Sequence, residues 1–410
     1  IAETRPETLG LEIARRFGRY PAAEWTYGLP WPSAERAREM GEALTRGLDV
    51  RSRAARWLAA EGMPDWDFFL AVEGEAHGAM EGLWHGVDPG HPLHTHPSGE
   101  AAGRALTDVH RGVDRFLGDL ASAAPDAAVV AFTMGGMGAN HSDVPSMVLL
   151  SELLYRRAFG RPLLSVPSAW ASEPDSLPVL GGDDDWSQAS LDWVPVPDKP
   201  RSSLGQRLRA AAVRRLPRPF RAARPLKQGL PWQPAARYQP YWSRMPAFAL
   251  PSFYDGRIRI NLRGRERCGM VEPSRYEETC RQLASLLGEC RNPRTGEPAV
   301  ETIERAATRD PLALSGSEAD LLVIWRGVSA AIEHPRLGLV GPVPLRRTGG
   351  HTGPYGMAFV AAPGVEPGDR GVRSAFDVVP TIAALLAVAP ERVSGKSLLD
   401  EPRIAASRTV

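Results

Sequence analysis

The chain has few cysteines, no long apolar run and no marked excess of charge of either sign. Its 410 residues include three cysteines, Cys268, Cys280 and Cys290, whose spacing fits no common metal or redox motif. We therefore expect reduced, structural thiols, which favours a cytoplasmic protein, and no secretory signal is recognised. Because no run of about 18 apolar residues occurs, the sequence predicts no membrane span.

The balance of charge also excludes some classes of partner. A formal net charge of +1 argues against an obligate nucleic-acid binder. Apolar residues make up 43% and charged residues 24%, which is typical of a globular protein rather than a disordered or fibrous one. The first residue, Ile1, is not an initiator methionine, and a helix is predicted as early as 7–17. We therefore expect that an N-terminal portion is missing.

Helical and strand patterns alternate along much of the chain, which predicts an α/β fold with a mostly parallel sheet flanked by helices. We expect one such domain in two parts, 1–162 and 257–410, separated by an irregular insertion, 163–256. Apolar periodicity predicts helices over 33–61, 101–121, 144–159, 276–287 and 377–386. Short apolar runs predict strands over 66–72, 127–133, 257–262, 319–325 and 357–361.

The insertion contains a basic segment, 201–227, with nine basic residues and no acidic one. A patch for nucleic acid or anionic lipid is one interpretation of this segment. A solvated surface segment is the interpretation we favour, since Phe220 is its only aromatic residue and a stacking platform for single strands needs several.

A histidine-rich stretch directly follows the predicted strand at 66–72. His77 and Glu81 are four residues apart, so on a helical turn their side chains would point the same way and grip one ion. Imidazole and carboxylate are the usual ligands of zinc and similar divalent ions. The alternative is a polar loop whose histidines only cap and hydrogen-bond.

A second candidate ligand lies near the other end of the chain. His351 sits in a glycine-rich loop, 347–356, directly before the predicted strand at 357–361. Glycines there would let the backbone approach a metal-bound substrate without side-chain clash. On its own, this residue is equally consistent with a turn histidine that merely satisfies its hydrogen bonds.

Taken in order along the chain, these motifs resemble the type I phosphodiesterase/nucleotide pyrophosphatase group of the alkaline phosphatase, or sulfatase-like, superfamily. The resemblance covers nearly the whole chain. It is carried by Trp66-Asp67-Phe68-Phe69, Glu75-x-His77-x-x-x-Glu81-x-x-Trp84-His85, Thr133-Met134-Gly135-Gly136-Met137-Gly138, the strand Arg259–Glu266, Gly350-His351, and the closing helix from Ser374 to Leu386.

The resemblance implies a hydrolase of phosphate diesters, or of related phosphate or sulfate esters, that uses divalent metal ions. It places His77, Glu81 and His351 around one ion, which would be zinc, with manganese as the alternative. Glu75 and His85 become candidates for the substrate side of the site. A threonine or serine nucleophile is also implied, and we expect it upstream of Ile1. The partner is then a small-molecule ester, not a membrane or a nucleic acid.

Departures from the family pattern affect mainly the second ion that the family binds. At the first ion the family has Asp-x-x-x-His, whereas this chain has His77-x-x-x-Glu81, which exchanges the order of the two ligand types. At the second, Met134 and Gly135 stand where the family has an Asp-His pair, and neither is a suitable ligand for such an ion.

His141 and Asp143 are possible substitute ligands for the second ion, but a plain helix-capping role is the interpretation we favour. The sulfatase motif Cys-x-Pro-x-Arg is absent from these residues. Two hypotheses follow. The first is the metal-dependent hydrolase, impaired if the missing ligands are not replaced. The second is a catalytically inactive homologue that binds a ligand or a partner.

Only one complete ligand set is visible, so we predict that the purified protein binds about one divalent ion per chain. Elemental analysis after dialysis measures this stoichiometry. Two tightly held ions per chain would contradict the prediction.

Overall fold

The computed structural model describes residues 4–25, 33–173, 176–181, 184–194, 233–305, 310–389 and 392–399. The chain forms two compact units. The first consists of Ile1–Asn140 together with Arg347–Val410, and the second is the intervening part, His141–Arg346. Of the helices that the structure describes, none is long and apolar enough to cross a membrane.

Both units contain helices and strands, which gives a mixed α/β protein. The α-helices are α1 (Glu7–Phe17), α2 (Ala34–Trp57), α3 (Glu75–Leu83), α4 (Gly99–Ala123), α5 (Leu150–Phe159), α6 (Ser168–Ala171), α7 (Trp186–Trp193), α8 (Tyr276–Gly288) and α9 (Val378–Leu385). The strands are β1 (Val129–Phe132), β2 (Gly136–Ala139), β3 (Ala247–Leu250), β4 (Gly256–Ile260), β5 (Val300–Arg305), β6 (Leu321–Trp325), β7 (Ile332–His334), β8 (Gly338–Val340), β9 (Gly349–Gly353) and β10 (Ala358–Ala361).

Helices α2, α3 and α4 of the first unit bury their apolar faces against one another. Helix α2 begins after Ser33, whose hydroxyl accepts a hydrogen bond from the Arg36 backbone N–H at 3.1 Å, as its N-cap position predicts. Helices α2 and α4 approach closely at Gly41, where a Cβ would lie 2.5 Å from the Cβ of Ala105. The shared core, which supports α3, includes Met40, Leu44, Leu48, Leu83, Leu106 and Val109.

Two antiparallel ribbons also belong to the first unit. Strand β1 pairs with β10, and β2 pairs with β9, so residues near position 135 lie beside residues near position 355. Strand β9 is also held against α3, because the Thr348 N–H donates a hydrogen bond of 3.0 Å to the Glu81 carbonyl. Gly349 permits this approach, since a Cβ there would lie 2.0 Å from the Met80 carbonyl oxygen.

The second unit is built on a four-stranded antiparallel sheet in the order β3-β4-β6-β5. The buried carboxylate of Asp320 organises one end of it. Both terminal nitrogens of Arg265 donate to Asp320 at 2.7 Å, and the Tyr276 hydroxyl donates at 2.9 Å. The stretch Arg259–Glu266 therefore contributes buried ion pairs to the sheet of this unit.

Several sequence expectations need correction. No strand forms over 66–72, and Phe68 and Leu70 are 50% and 60% exposed, because no described strand pairs with this apolar segment. All named strand pairs are antiparallel, so the expected mostly parallel sheet does not appear among the described residues. In each ribbon of the first unit, the two paired strands come from distant parts of the chain and run in opposite directions. Antiparallel strands do not need the crossover connection that parallel neighbours require.

The predicted division into 1–162, 163–256 and 257–410 also differs from the two observed units. The end of the predicted insertion is regular, because the apolar run Ala247–Leu250 forms β3 and pairs with β4. The basic segment, 201–227, lies outside the described residues.

The contact between β9 and α3 leads to a prediction about stability. Gly349→Ala should lower the free energy of unfolding by about 1–3 kcal/mol, because the added methyl group would collide with the Met80 carbonyl. Gly135→Ala is the matched control, since a Cβ at Gly135 meets no atom within 4 Å. Urea denaturation of both variants gives the comparison, and equal midpoints would contradict the prediction.

Candidate metal centre

Helix α3 places two of the predicted ligands on one side of the first unit. The helix begins at Glu75 and ends at Leu83, so His77 and Glu81 are one turn apart within it. The distance from His77 Nε2 to Glu81 Oε1 is 3.4 Å. The sequence prediction that these two side chains point the same way is therefore confirmed by the geometry.

Strand β9 brings the third predicted ligand to the same place. The Nε2 atoms of His77 and His351 are 2.9 Å apart, although 274 positions separate the two residues in the chain. One ligand atom from each of His77, Glu81 and His351 lies within 4.8 Å of the other two. Across the described parts of the chain, this is the one group of three or more such side chains that meets the same distance limit.

The donor set fits a divalent ion such as zinc. Two imidazole nitrogens bound to one tetrahedral zinc, each at about 2.0–2.1 Å, would be about 3.3 Å apart. The Nε2 atoms of His77 and His351 lie at a hydrogen-bonding distance of 2.9 Å, so they would separate by a few tenths of an ångström to bind a common ion. Two imidazoles and one carboxylate would leave a fourth position open, as in catalytic zinc sites.

Exposure and protonation of the three side chains suit metal binding from solvent. His351 is exposed and the His77 side chain is 40% exposed, whereas the Glu81 side chain is only 7% exposed. Partial burial lowers the pKa of His77, and the positive charges of His351, when protonated, and of Arg347 act in the same direction. The lowered pKa favours the neutral imidazole, which is the form that binds a metal.

A residue without a predicted role, Arg347, completes the inner side of the site. Its guanidinium forms an ion pair with Glu81, and both side chains are almost completely buried. Burial lowers the pKa of Arg347 to about 10, so the group still carries its charge at neutral pH. The only sequence signal was an arginine two residues before the Gly-Gly-His motif, which does not by itself indicate contact with Glu81.

The two substrate-side candidates are buried and hydrogen-bonded within the first unit. Glu75 accepts a hydrogen bond of 2.7 Å from the Tyr20 hydroxyl. His85 lies between Ser98 and Thr348, with its Nε2 at 3.0 Å from the Ser98 hydroxyl and its Nδ1 at 3.3 Å from the Thr348 hydroxyl. Through Thr348, His85 contacts the segment that leads to His351. A substrate-side role for either residue stays a prediction.

Other predicted positions do not join the three ligands. His141 and Asp143 belong to the second unit, where Asp143 is paired with Arg346 at 2.9 Å. Met134 is 78% exposed, and Gly135 lies beside it in the turn that leads into β2. The described residues therefore contain no second group of ligands like the first.

The remaining histidines of the histidine-rich stretch have structural contacts. His94 Nδ1 is 2.9 Å from the His85 carbonyl oxygen, and His96 Nδ1 is 2.8 Å from the Ser98 hydroxyl. His91 is buried, and its Nδ1 accepts a hydrogen bond from the Leu93 N–H at 3.0 Å. These three residues therefore match the alternative in which the histidines of a polar loop only form hydrogen bonds.

Comparison with known proteins adds no relative, since no protein-family model, curated protein or solved structure matches the chain.

The buried position of His85 predicts a pH-dependent stability. Burial, with smaller effects of His91, His96 and His94, lowers the pKa of His85 to about 3, below the value of about 6.5 in an unfolded chain. As the pH falls, the unfolded state therefore binds the proton first. The contribution of neutral His85 to the free energy of unfolding is therefore complete above pH 6.5. It is lower by about 2 kcal/mol at pH 5, and it continues to fall towards pH 3.

His85→Gln should accordingly lose less stability than the wild type between about pH 7 and about pH 5. Chemical denaturation at each pH measures this slope. His110→Gln, at an exposed position of α4, is the control and should retain the wild-type slope. Identical slopes for His85→Gln and the wild type would show that His85 does not carry the effect.

Proposed function

We propose that this protein is a metal-dependent hydrolase of phosphate diesters, or of related phosphate or sulfate esters, in the alkaline phosphatase superfamily. The observation that carries the proposal is the convergence of His77, Glu81 and His351 within 4.8 Å. The family resemblance implies that these three residues surround one ion. Two of them come from α3 and the third from β9, elements that are far apart in the chain.

The position of the Met134-Gly135 turn also supports the resemblance. In the family pattern these two positions carry an Asp-His pair that binds the second ion. Here they directly precede β2, which pairs with β9, the strand that carries His351. The two positions therefore lie just before the strand that pairs with β9.

The residues of the site define the chemical steps that the chain can support. When bound, a divalent ion would supply Lewis-acid stabilisation of negative charge on a phosphoryl or sulfuryl oxygen. His77 and His351 would bind that ion as neutral imidazoles from the exposed side, and Glu81 would bind it from the buried side. The hydrogen-bonded network of His85, Thr348 and Ser98 would hold the segment that leads to His351 in position.

An inactive homologue that binds a ligand or partner is the second candidate. It is favoured by Met134, which is 78% exposed, and by Gly135, since neither supplies a ligand for a second ion. A single ion can still polarise an ester, but the clamp that two ions form on the attacking and leaving oxygens would be absent. Metal-dependent turnover therefore separates the two candidates.

We also propose a cytoplasmic location, which rests on the cysteines. Cys268, Cys280 and Cys290 are all free thiols, and the last two are buried. Thiols that stay unpaired are typical of reducing compartments.

Hydrolysis of bis-p-nitrophenyl phosphate in the presence of zinc or manganese tests the proposed activity. We expect measurable release of p-nitrophenol that is abolished by a chelator and restored by added metal. His351→Ala should lower both the metal content and the activity by about tenfold or more, because one of three protein ligands is lost. Elemental analysis and initial rates give the two readouts.

His110→Ala is the control for a histidine substitution, because His110 is exposed on α4 and its ring hydrogen-bonds to the Leu106 carbonyl within its own helix. If the wild type binds one ion but shows no turnover, the inactive homologue is the better description. Unchanged metal content in His351→Ala would reject the proposed centre itself.

A further inference from the structure

Two glutamates on either side of Gly74 share one arginine at the start of α3. Nε of Arg51, on α2, lies 3.2 Å from Glu73 Oε1 and 3.6 Å from Glu75 Oε1. Arg51 also donates to the Val72 carbonyl, so its guanidinium holds the segment that leads into α3. The Glu73 side chain is 15% exposed and the Glu75 side chain is 1% exposed. If both carboxylates are ionised, Arg51 balances only one of the two charges.

The two carboxylates differ in their hydrogen-bond partners. Glu75 accepts a hydrogen bond of 2.7 Å from the Tyr20 hydroxyl and one of 3.1 Å from the Gly74 N–H. Tyr20 keeps its proton, because burial and the neighbouring Glu75 raise its pKa. By contrast, Glu73 Oε2 is buried, and none of the described residues donates a hydrogen bond to it. An ionised Glu73 therefore has a buried acceptor without a donor, which is costly.

A proton on Glu73 removes both the excess charge and the missing hydrogen bond. It turns the carboxyl group into a donor, and Glu75 is close enough to accept that hydrogen bond. Arg51 and the positive end of the α3 dipole favour the ionised form of Glu73. Burial, together with the hydrogen bond to Glu75 and the charge of Glu75, outweighs them and raises the pKa of Glu73 to about 7. Glu73 therefore gains or loses its proton close to neutral pH.

We propose that Glu73 is a proton-sensitive switch, which holds the segment leading into α3 when protonated and releases that segment towards solvent when ionised. Glu73 is the carboxylate that leaves, because it is more exposed than Glu75 and lacks the donors that Glu75 has. The neighbouring Gly74 permits the movement, since a Cβ there would meet no atom within 4 Å. Arg51 then remains paired with Glu75. The inference is independent of the proposed function, because none of the three predicted metal ligands takes part.

Chemical denaturation of the full chain, with EDTA present to remove metal ions, tests the switch. The variant is Glu73→Gln, which is uncharged like the protonated form. Because the pKa of Glu73 rises from about 4.5 to about 7 on folding, ionisation destabilises the folded wild type as the pH rises. The unfolding constant of the wild type, divided by that of Glu73→Gln, should increase about 50-fold between about pH 5 and about pH 8.5. The opposite effect of His85 cancels in this ratio, because both proteins contain that residue.

Amide hydrogen exchange provides a local readout of the same switch. The Gly74 N–H donates to the Glu75 carboxylate at 3.1 Å, and the Gly78 N–H donates to the Gly74 carbonyl at 3.0 Å. After correction for the intrinsic pH dependence of exchange, the protection of these two amides in the wild type should fall about tenfold or more between about pH 5 and about pH 8.5. Glu73→Gln should retain its protection at both pH values.

Glu100→Gln is the matched control, because it makes the same substitution at a side chain of α4 that is 80% exposed and paired with Arg104. Its unfolding constant relative to the wild type should be the same at both pH values. A ratio for Glu73→Gln that does not change with pH overturns the switch, as does equal protection of the two wild-type amides at both pH values. If Glu73→Gln does not fold, the exchange of the wild type decides the question.

Discussion

The contact between α3 and the start of β9 is the constraint on which the candidate site depends. The Thr348 N–H donates to the Glu81 carbonyl, and Gly349 lies against the Met80 carbonyl where no side chain would fit. This contact joins two parts of the first unit that are more than 250 positions apart in the chain. Because of this contact, His351 lies beside His77 and Glu81, and the Arg347 guanidinium reaches the Glu81 carboxylate.

The same contact sets the electrostatics of the site. Because Arg347 directly precedes Thr348, the hydrogen bond that fixes the strand also brings the guanidinium to the Glu81 carboxylate. The centre is thus exposed at its imidazoles and ion-paired at its buried end. This asymmetry distinguishes it from a simple cluster of exposed side chains.

Local features of the fold were predictable because they depend on neighbours in the chain. The cap at Ser33, the periodic apolar face of α4 and the buried strand β6 follow from short-range patterns that the structure retains. The segment at 66–72 was predicted wrongly by the same reasoning. Its apolar run resembles a buried strand, but a strand also needs a partner to satisfy its backbone groups, and a local pattern carries no information about one.

The sequence by itself determined the three candidate ligands and the helical spacing that aligns two of them, because residue type and a repeat of 3.6 residues per turn are local properties. Only the tertiary structure decided that His351 lies beside His77 and Glu81. It also decided that the buried His85 contacts Thr348 and that Arg347 is paired with Glu81. Those contacts join residues far apart in the chain, and they are set by the packing of α3 against β9. The antiparallel pairing of the strands belongs to the same category, because it depends on which distant segments meet and not on the pattern within each one.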